Sequence, residues 1–172
     1  MIQKKVCLLG GFGVGKTSLV GQFVHSIFSD KYLTTIGVKI DKKSVAVDRT
    51  QVELVIWDIY GHDDFQKLRS SYLRGAGGYL LVADGTRRAT LDTVDDLRRL
   101  AEDAIGRVPF VLAVNKADLR ERWQIDAAAL EERRRASWHV VETSAKTGDM
   151  VEGAFATLAR DMLTVTSKNR HD

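Results

Sequence analysis

Two segments, "YLLVAD" (79–84) and "FVLAVN" (110–115), are apolar at nearly every position, and they narrow the fold more than any other feature of the chain. A strand with one wet face alternates apolar and polar residues, so an unbroken apolar run of strand length must be covered on both faces. Helices packed on both sides of a parallel sheet supply such cover. The remaining apolar patterns fit that architecture: strands are expected at 4–10, 43–49, 52–61, 78–85, 109–118 and 138–146. Helices are expected at 15–28, 63–76, 90–105, 126–136 and 150–163. The alternation predicts an α/β fold with a mainly parallel six-stranded sheet. "SIFSDKYLTTIGVKI" (26–40) has neither period and is expected to be a long loop.

A chain of 172 residues builds one core. The domain is expected over 1–166, followed by a short polar tail at 167–172. Charged residues make up 28% and apolar residues 44%, which excludes a disordered or fibrous chain. The net charge of +3 is spread among alternating signs. The densest cluster, "EERRRAS" (131–137), is expected to be an exposed helix face, and no nucleic acid partner is expected. Cys7 is the single cysteine, so no disulfide forms within the chain. No apolar run approaches the roughly 18 residues of a membrane span, and the N-terminal stretch does not read as a secretory signal, so a cytoplasmic protein is expected.

"GGFGVGKTSL" (10–19) satisfies G-x-x-x-x-G-K-[ST] through Gly10, Gly15, Lys16 and Thr17, between an expected strand and an expected helix. A loop with little side-chain bulk lets the backbone N–H groups of Gly13, Val14, Gly15, Lys16, Thr17 and Ser18 converge on a phosphate beside a helix N-terminus. Lys16 is the charge for the β- and γ-phosphates. The Thr17 hydroxyl is a hard oxygen ligand for Mg²⁺.

A phosphate motif does not name a base. "AVNKADL" (113–119) and "ETSAK" (142–146) fall where strands of this alternation end, and in an open parallel sheet those ends line the ligand crevice. Asp118 can accept from N1–H and N2–H₂ of guanine, whereas adenine offers no such donors. An unpaired carboxylate under a bound base would favour guanine by orders of magnitude. In "WDIYGHDDF" (57–65), Asp58 ends an apolar strand and can join a Mg²⁺ shell, while Gly61 leaves its N–H for a γ-phosphate.

Together with "TTIGVKI", "LRSSYLRGA" and "AFATLARDML", these stretches resemble the Ras-like small GTPases, and the Rab-like branch most closely, over residues 4 to about 163. The resemblance implies a single P-loop G domain that binds GTP and GDP with Mg²⁺, hydrolyses GTP, and signals or regulates traffic through effectors. It makes Phe28 the aromatic that stacks on guanine and Tyr32 the tyrosine that closes over the phosphates. Thr35 becomes the threonine that ligands Mg²⁺ and senses the γ-phosphate. Asn115 and Lys116 brace the base site, and Ser144, Ala145 and Lys146 complete it. Segments 29–41 and 58–75 become the switches, read by an exchange factor, a GTPase-activating protein and an effector, with the chain itself a monomer.

Three residues depart from the family pattern around the γ-phosphate. Phe12 stands at a loop position that is small in most relatives, Tyr60 replaces the usual alanine, and His62 replaces the usual glutamine. The Phe12 ring is expected to lie over the loop toward the switches. His62 has two readings: it orients the attacking water, as in elongation factors and vesicle-coat GTPases, or it leaves hydrolysis slow because only one tautomer suits the task. Lys16, Thr35 and His62 are the catalytic candidates. No arginine falls in a motif that would make it a finger in cis. The sequence ends without a prenylation cysteine, which reads either as truncation or as a soluble switch like prokaryotic members of the family. Two other functions compete: a pseudo-GTPase holding nucleotide without turnover, and a P-loop ATPase or small-molecule kinase, which Asp118 argues against.

Overall fold

A computed structural model describes residues 1–29, 37–59 and 70–170. Six strands form one sheet in the order β2-β3-β1-β4-β5-β6. They are β1 (Ile2–Gly10), β2 (Val38–Val47), β3 (Thr50–Ile59), β4 (Gly78–Asp84), β5 (Phe110–Asn115) and β6 (His139–Glu142). Every neighbouring pair is parallel except β2 with β3. The helices are α1 (Lys16–Val20), α2 (Ser70–Leu73), α3 (Ala89–Ile105), α4 (Ala127–Arg135) and α5 (Val151–Asn169). This is the expected α/β architecture.

Side chains alternate across each central strand. Val6 and Leu8 of β1, Leu80 and Val82 of β4, and Val111 and Ala113 of β5 enter one core layer with Leu19, Phe155 and Leu158 from α1 and α5. Cys7 and Leu9, Leu81 and Ala83, and Leu112 and Val114 enter the other, with Leu73, Val94 and Leu130 from α2, α3 and α4. All seven residues of β4 are buried, as its unbroken apolar pattern requires. Each fully buried aliphatic side chain contributes about 1.5–3 kcal/mol. Phe23 and Phe155 stack with ring centroids 4.0 Å apart, fixing α5 against the first helix.

Several boundaries differ from expectation. The helix expected over 15–28 is α-helical only through Val20 and continues as a π-helical turn over Gly21–His25. Ser26 ends it in the left-handed region at φ 54°, and the Lys43 ammonium donates to the Phe23 carbonyl, satisfying a group that helix continuation would otherwise bond. The loop expected over 26–40 ends earlier, because β2 begins at Val38 and pairs at once with Ile59. As a sheet-edge strand of mostly exposed and half-buried residues, β2 carries little hydrophobic signal, and pairing decides its extent. A two-residue turn at Asp48 and Arg49 joins β2 to β3. β5 stops at Asn115 and gives way to a 3-10 turn, Ala117–Arg122. α5 runs through Asn169, three residues into the expected polar tail.

Candidate nucleotide site

The carboxyl ends of β1, β3, β4 and β5 and the loop after β6 carry the polar residues that the apolar strands do not explain. Lys16 is 6% exposed, Asp58 1%, Asp84 0% and Asn115 2%. Buried polar groups at strand ends must be paired, and the pairs assemble one connected site.

Lys16, the first residue of α1, turns its ammonium back over the loop and donates to the carbonyls of Gly10 at 3.1 Å and Gly11 at 3.3 Å. Burial pushes its pKa down from 10.5 to about 8, with the Asp58 carboxylate opposing the drop. Such a desolvated cation gains strongly from an anion. Next to it, the Thr17 hydroxyl donates to Asp58 Oδ2 at 2.6 Å, joining the start of α1 to the end of β3. A hydroxyl and a carboxylate in contact form a hard-oxygen pair suited to a small divalent cation that keeps other ligands from phosphate and water. Among the described residues, no group of three or more His, Cys, Asp and Glu could hold a metal by itself.

Behind the loop, Asn115 Nδ2 donates to the Val14 carbonyl at 3.1 Å, while Asn115 Oδ1 accepts from Thr143 Oγ1 and from the Ala145 N–H, each at 3.2 Å. Lys116 Nζ donates to the Gly13 carbonyl at 3.3 Å and pairs with Asp84 Oδ2 at 2.8 Å. One side chain therefore ties phosphate loop, β5 and the loop after β6 together, and its neighbour adds β4. Gly15 closes the contact: its φ is 102°, and a Cβ there would lie 2.3 Å from Asn115 Nδ2, so no larger residue fits.

Asp118 and Ser144 meet through a hydrogen bond from Ser144 Oγ to Asp118 Oδ1 at 2.8 Å, and Ser144 Oγ also accepts from the Thr147 N–H at 3.1 Å. The carboxylate is thereby aimed while staying exposed. The desolvation argument for guanine thus acts only once a base covers Asp118. Lys116 sits in the left-handed region at φ 72°. Its carbonyl is held there by the indole N–H of Trp123 at 2.8 Å and by the Leu119 N–H at 2.9 Å.

The family model for the Ras family matches residues 5–164. Ras-related protein Rab-8B of Homo sapiens is 33% identical over 171 residues, covering 98% of this chain and 82% of that protein. The chain belongs to the Ras family. Ras-related protein RABA1g of Arabidopsis thaliana is 37% identical over 172 residues, 98% of this chain and 78% of its own. Ras-related protein Rab-1 of Theileria parva is 35% identical over 159 residues, 91% and 72% respectively. This Ras-family chain is accordingly Rab-like: a GTP-binding switch GTPase, a P-loop hydrolase acting on GTP. Among the described residues, no helix is long and apolar enough to cross a membrane.

Of the residues singled out in the sequence, Gly13, Val14, Gly15, Lys16, Thr17, Asp58, Asn115, Lys116, Asp118, Ser144 and Ala145 fall into the connected set described above. Ser18 follows on α1, half-buried, and Lys146 stands exposed beside Ala145. Phe28 is 39% exposed after the π-helical turn, and no described contact joins it to the base cluster. Phe12 is 45% exposed. Tyr32, Thr35, Tyr60, Gly61 and His62 lie outside the described residues.

Asp84, Thr86, Arg87 and Trp123 belong to the network without standing out in the sequence. Asp84 Oδ1 accepts from the Thr86 N–H at 2.9 Å and Thr86 Oγ1 at 2.7 Å, and Oδ2 accepts from Arg87 Nε at 3.0 Å. Burial works against its ionised form, but the hydrogen bonds from Lys116, Thr86 and Arg87 outweigh burial and lower its pKa. The signal is present, since Asp84 closes an apolar strand, and Asp58 lies one residue from the end of β3.

Proposed function

We propose that this Ras-family GTPase is a slow hydrolase whose nucleotide state is read by an effector and reset by an exchange factor and a GTPase-activating protein at segments 29–41 and 58–75. The observation that supports it best is the Asn115–Lys116 bridge from the NKAD stretch to the Val14 and Gly13 carbonyls. It ties the guanine-reading and phosphate-binding residues into one unit, so a nucleotide must satisfy both at once.

In this reading Asp118 accepts from N1–H and N2–H₂ of guanine, steadied by Ser144, with Ala145, Lys146 and Phe28 completing the pocket. The N–H groups of Gly13 to Ser18 and the Lys16 ammonium take the phosphates, with Tyr32 and Gly61 closing from the switches. Thr17, Asp58 and Thr35 would hold Mg²⁺, which when bound neutralises charge on the phosphates. His62 orients water for attack on the γ-phosphorus. The bond from that phosphorus to the β–γ bridging oxygen breaks, and GDP and phosphate leave. Lys16 stabilises charge on the transferring group because it is fixed before reaction begins. Phe12 and Tyr60 form an apolar lid over this end of the site, which a partner must move.

Competition of GTP against ATP, followed by single-turnover hydrolysis of bound GTP by the parent and His62→Gln, tests the reading. Strong preference for GTP, measurable turnover by the parent and equal or slower turnover by the glutamine variant are expected. Parity between ATP and GTP would overturn the base assignment. Faster turnover by His62→Gln would overturn the role of His62.

A further inference from the structure

Three consecutive carbonyls of the phosphate loop are each held from outside by a side chain. Arg87 Nη2 donates to Phe12 O at 2.7 Å, Lys116 Nζ to Gly13 O at 3.3 Å, and Asn115 Nδ2 to Val14 O at 3.1 Å. No peptide among the described residues is cis. In a trans peptide the C=O of one residue and the N–H of the next point in opposite directions. Drawing carbonyls 12, 13 and 14 outward therefore turns the N–H groups of Gly13, Val14 and Gly15 inward, toward Lys16.

We infer that Arg87 is a positioning residue for phosphate binding, holding the Phe12–Gly13 peptide so that the Gly13 N–H faces the ligand. Its anchor is Asp84, 0% exposed, whose Oδ2 receives both Arg87 Nε at 3.0 Å and Lys116 Nζ at 2.8 Å. One buried carboxylate at the end of β4 thus aims two cations at adjacent carbonyls of the loop after β1. The guanidinium suits this task because Nε takes the carboxylate while Nη2 takes the carbonyl, a fixed fork that a lysine ammonium does not reproduce. The fork also bears on Phe12. Phe12, 45% exposed, stands where a loop must keep one backbone geometry, and Arg87 holds that geometry through the Phe12 carbonyl.

The inference rests on the nucleotide-binding reading and is tested so that the two fail separately. Fluorescent GDP is displaced by GDP and by GMP from the parent, Arg87→Ala, Arg87→Lys and Lys116→Ala. In the arginine variants Asp84 keeps its hydrogen bonds from Lys116 and Thr86, so nucleotide-free chains that still fold, with thermal midpoints modestly below the parent's, are expected. GDP should bind about five- to tenfold more weakly to both arginine variants, since a charged but exposed hydrogen bond is lost. GMP affinity should stay within about twofold, because the base site is untouched. Lys116→Ala should weaken both ligands. Equal weakening of GDP and GMP in the arginine variants, or no weakening of GDP, overturns the inference. A parent that binds neither nucleotide overturns the reading on which it rests.

Discussion

Gly15 and Asn115 stand so close that a Cβ on the glycine would lie 2.3 Å from the asparagine Nδ2. That contact lets the asparagine reach the Val14 carbonyl, so the missing side chain serves a bond to a residue far away in sequence.

Gly15→Ala therefore meets two penalties at once, backbone strain at φ 102° and a clash with Asn115. Destabilisation of about 2–4 kcal/mol is expected, together with loss of GDP binding. Urea unfolding with and without GDP measures both, and an alanine variant that binds GDP like the parent would contradict the packing described.

Asn115→Ala removes partners from Val14 O, Thr143 Oγ1 and the Ala145 N–H in one step. Because the asparagine is 2% exposed, these groups lose pairing where water reaches poorly, and a loss of about 2–4 kcal/mol is expected. A change at Asp118 should also weaken GDP and GMP, but at little cost to the fold because that carboxylate is exposed, whereas Asn115→Ala should weaken both nucleotides and destabilise the fold. Calorimetric titration together with urea unfolding of the two variants separates the cases.

Gly85→Ala is expected to act through Trp123. A Cβ at Gly85 would lie 2.1 Å from the Trp123 ring, forcing the indole away and breaking its hydrogen bond to the Lys116 carbonyl. Intrinsic fluorescence should shift, and GDP release should quicken about tenfold or more as Lys116 loses its left-handed backbone support. Trp123→Phe, which keeps the ring and drops the donor, should show a smaller effect.

Cys7 gives the pH dependence. It is fully buried, its thiol donates to the Tyr72 carbonyl at 3.5 Å, and burial pushes its pKa from 9.0 up to about 12, with Lys5 opposing. Folding favours the protonated thiol, so its contribution is whole below pH 9.0 and declines as pH rises toward about 12, by up to about 1.4 kcal/mol per pH unit. Tyr79, whose burial also raises its pKa to about 12, declines in parallel, so the difference between parent and Cys7→Ala isolates the thiol. Denaturant midpoints at pH 8, 9 and 10 should fall more steeply for the parent, and native Cys7 should resist alkylation.

The phosphate loop, the NKAD and SAK stretches and Asp58 were legible as short residue patterns at strand ends, although the bonds that join them run between segments far apart in sequence. The central strands were legible because two covered faces leave no polar position. What escaped was decided at a distance. Arg87 is one of many arginines until the sheet brings it beside Phe12, and β2 extends to Val38 because β3 lies next to it. The Phe23 carbonyl of the π-helical turn finds its partner in Lys43, on β2 and twenty residues away. Asp118 was legible as a candidate base reader, but its exposure is set by the turn that carries it.

Val38 and Ile59 share a rung of the β2–β3 ladder, with the Asp48–Arg49 turn closing its far end. The segments proposed as switches, 29–41 and 58–75, therefore each contain one residue of that rung and meet the sheet side by side. In the proposed reading, hairpin length is under functional constraint, separate from the identity of its largely exposed residues. One residue added to β2 would displace one junction by about 3.3 Å relative to the other and turn that strand's side chains over. A partner gripping both segments would meet them out of step, even with every residue of the nucleotide site in place.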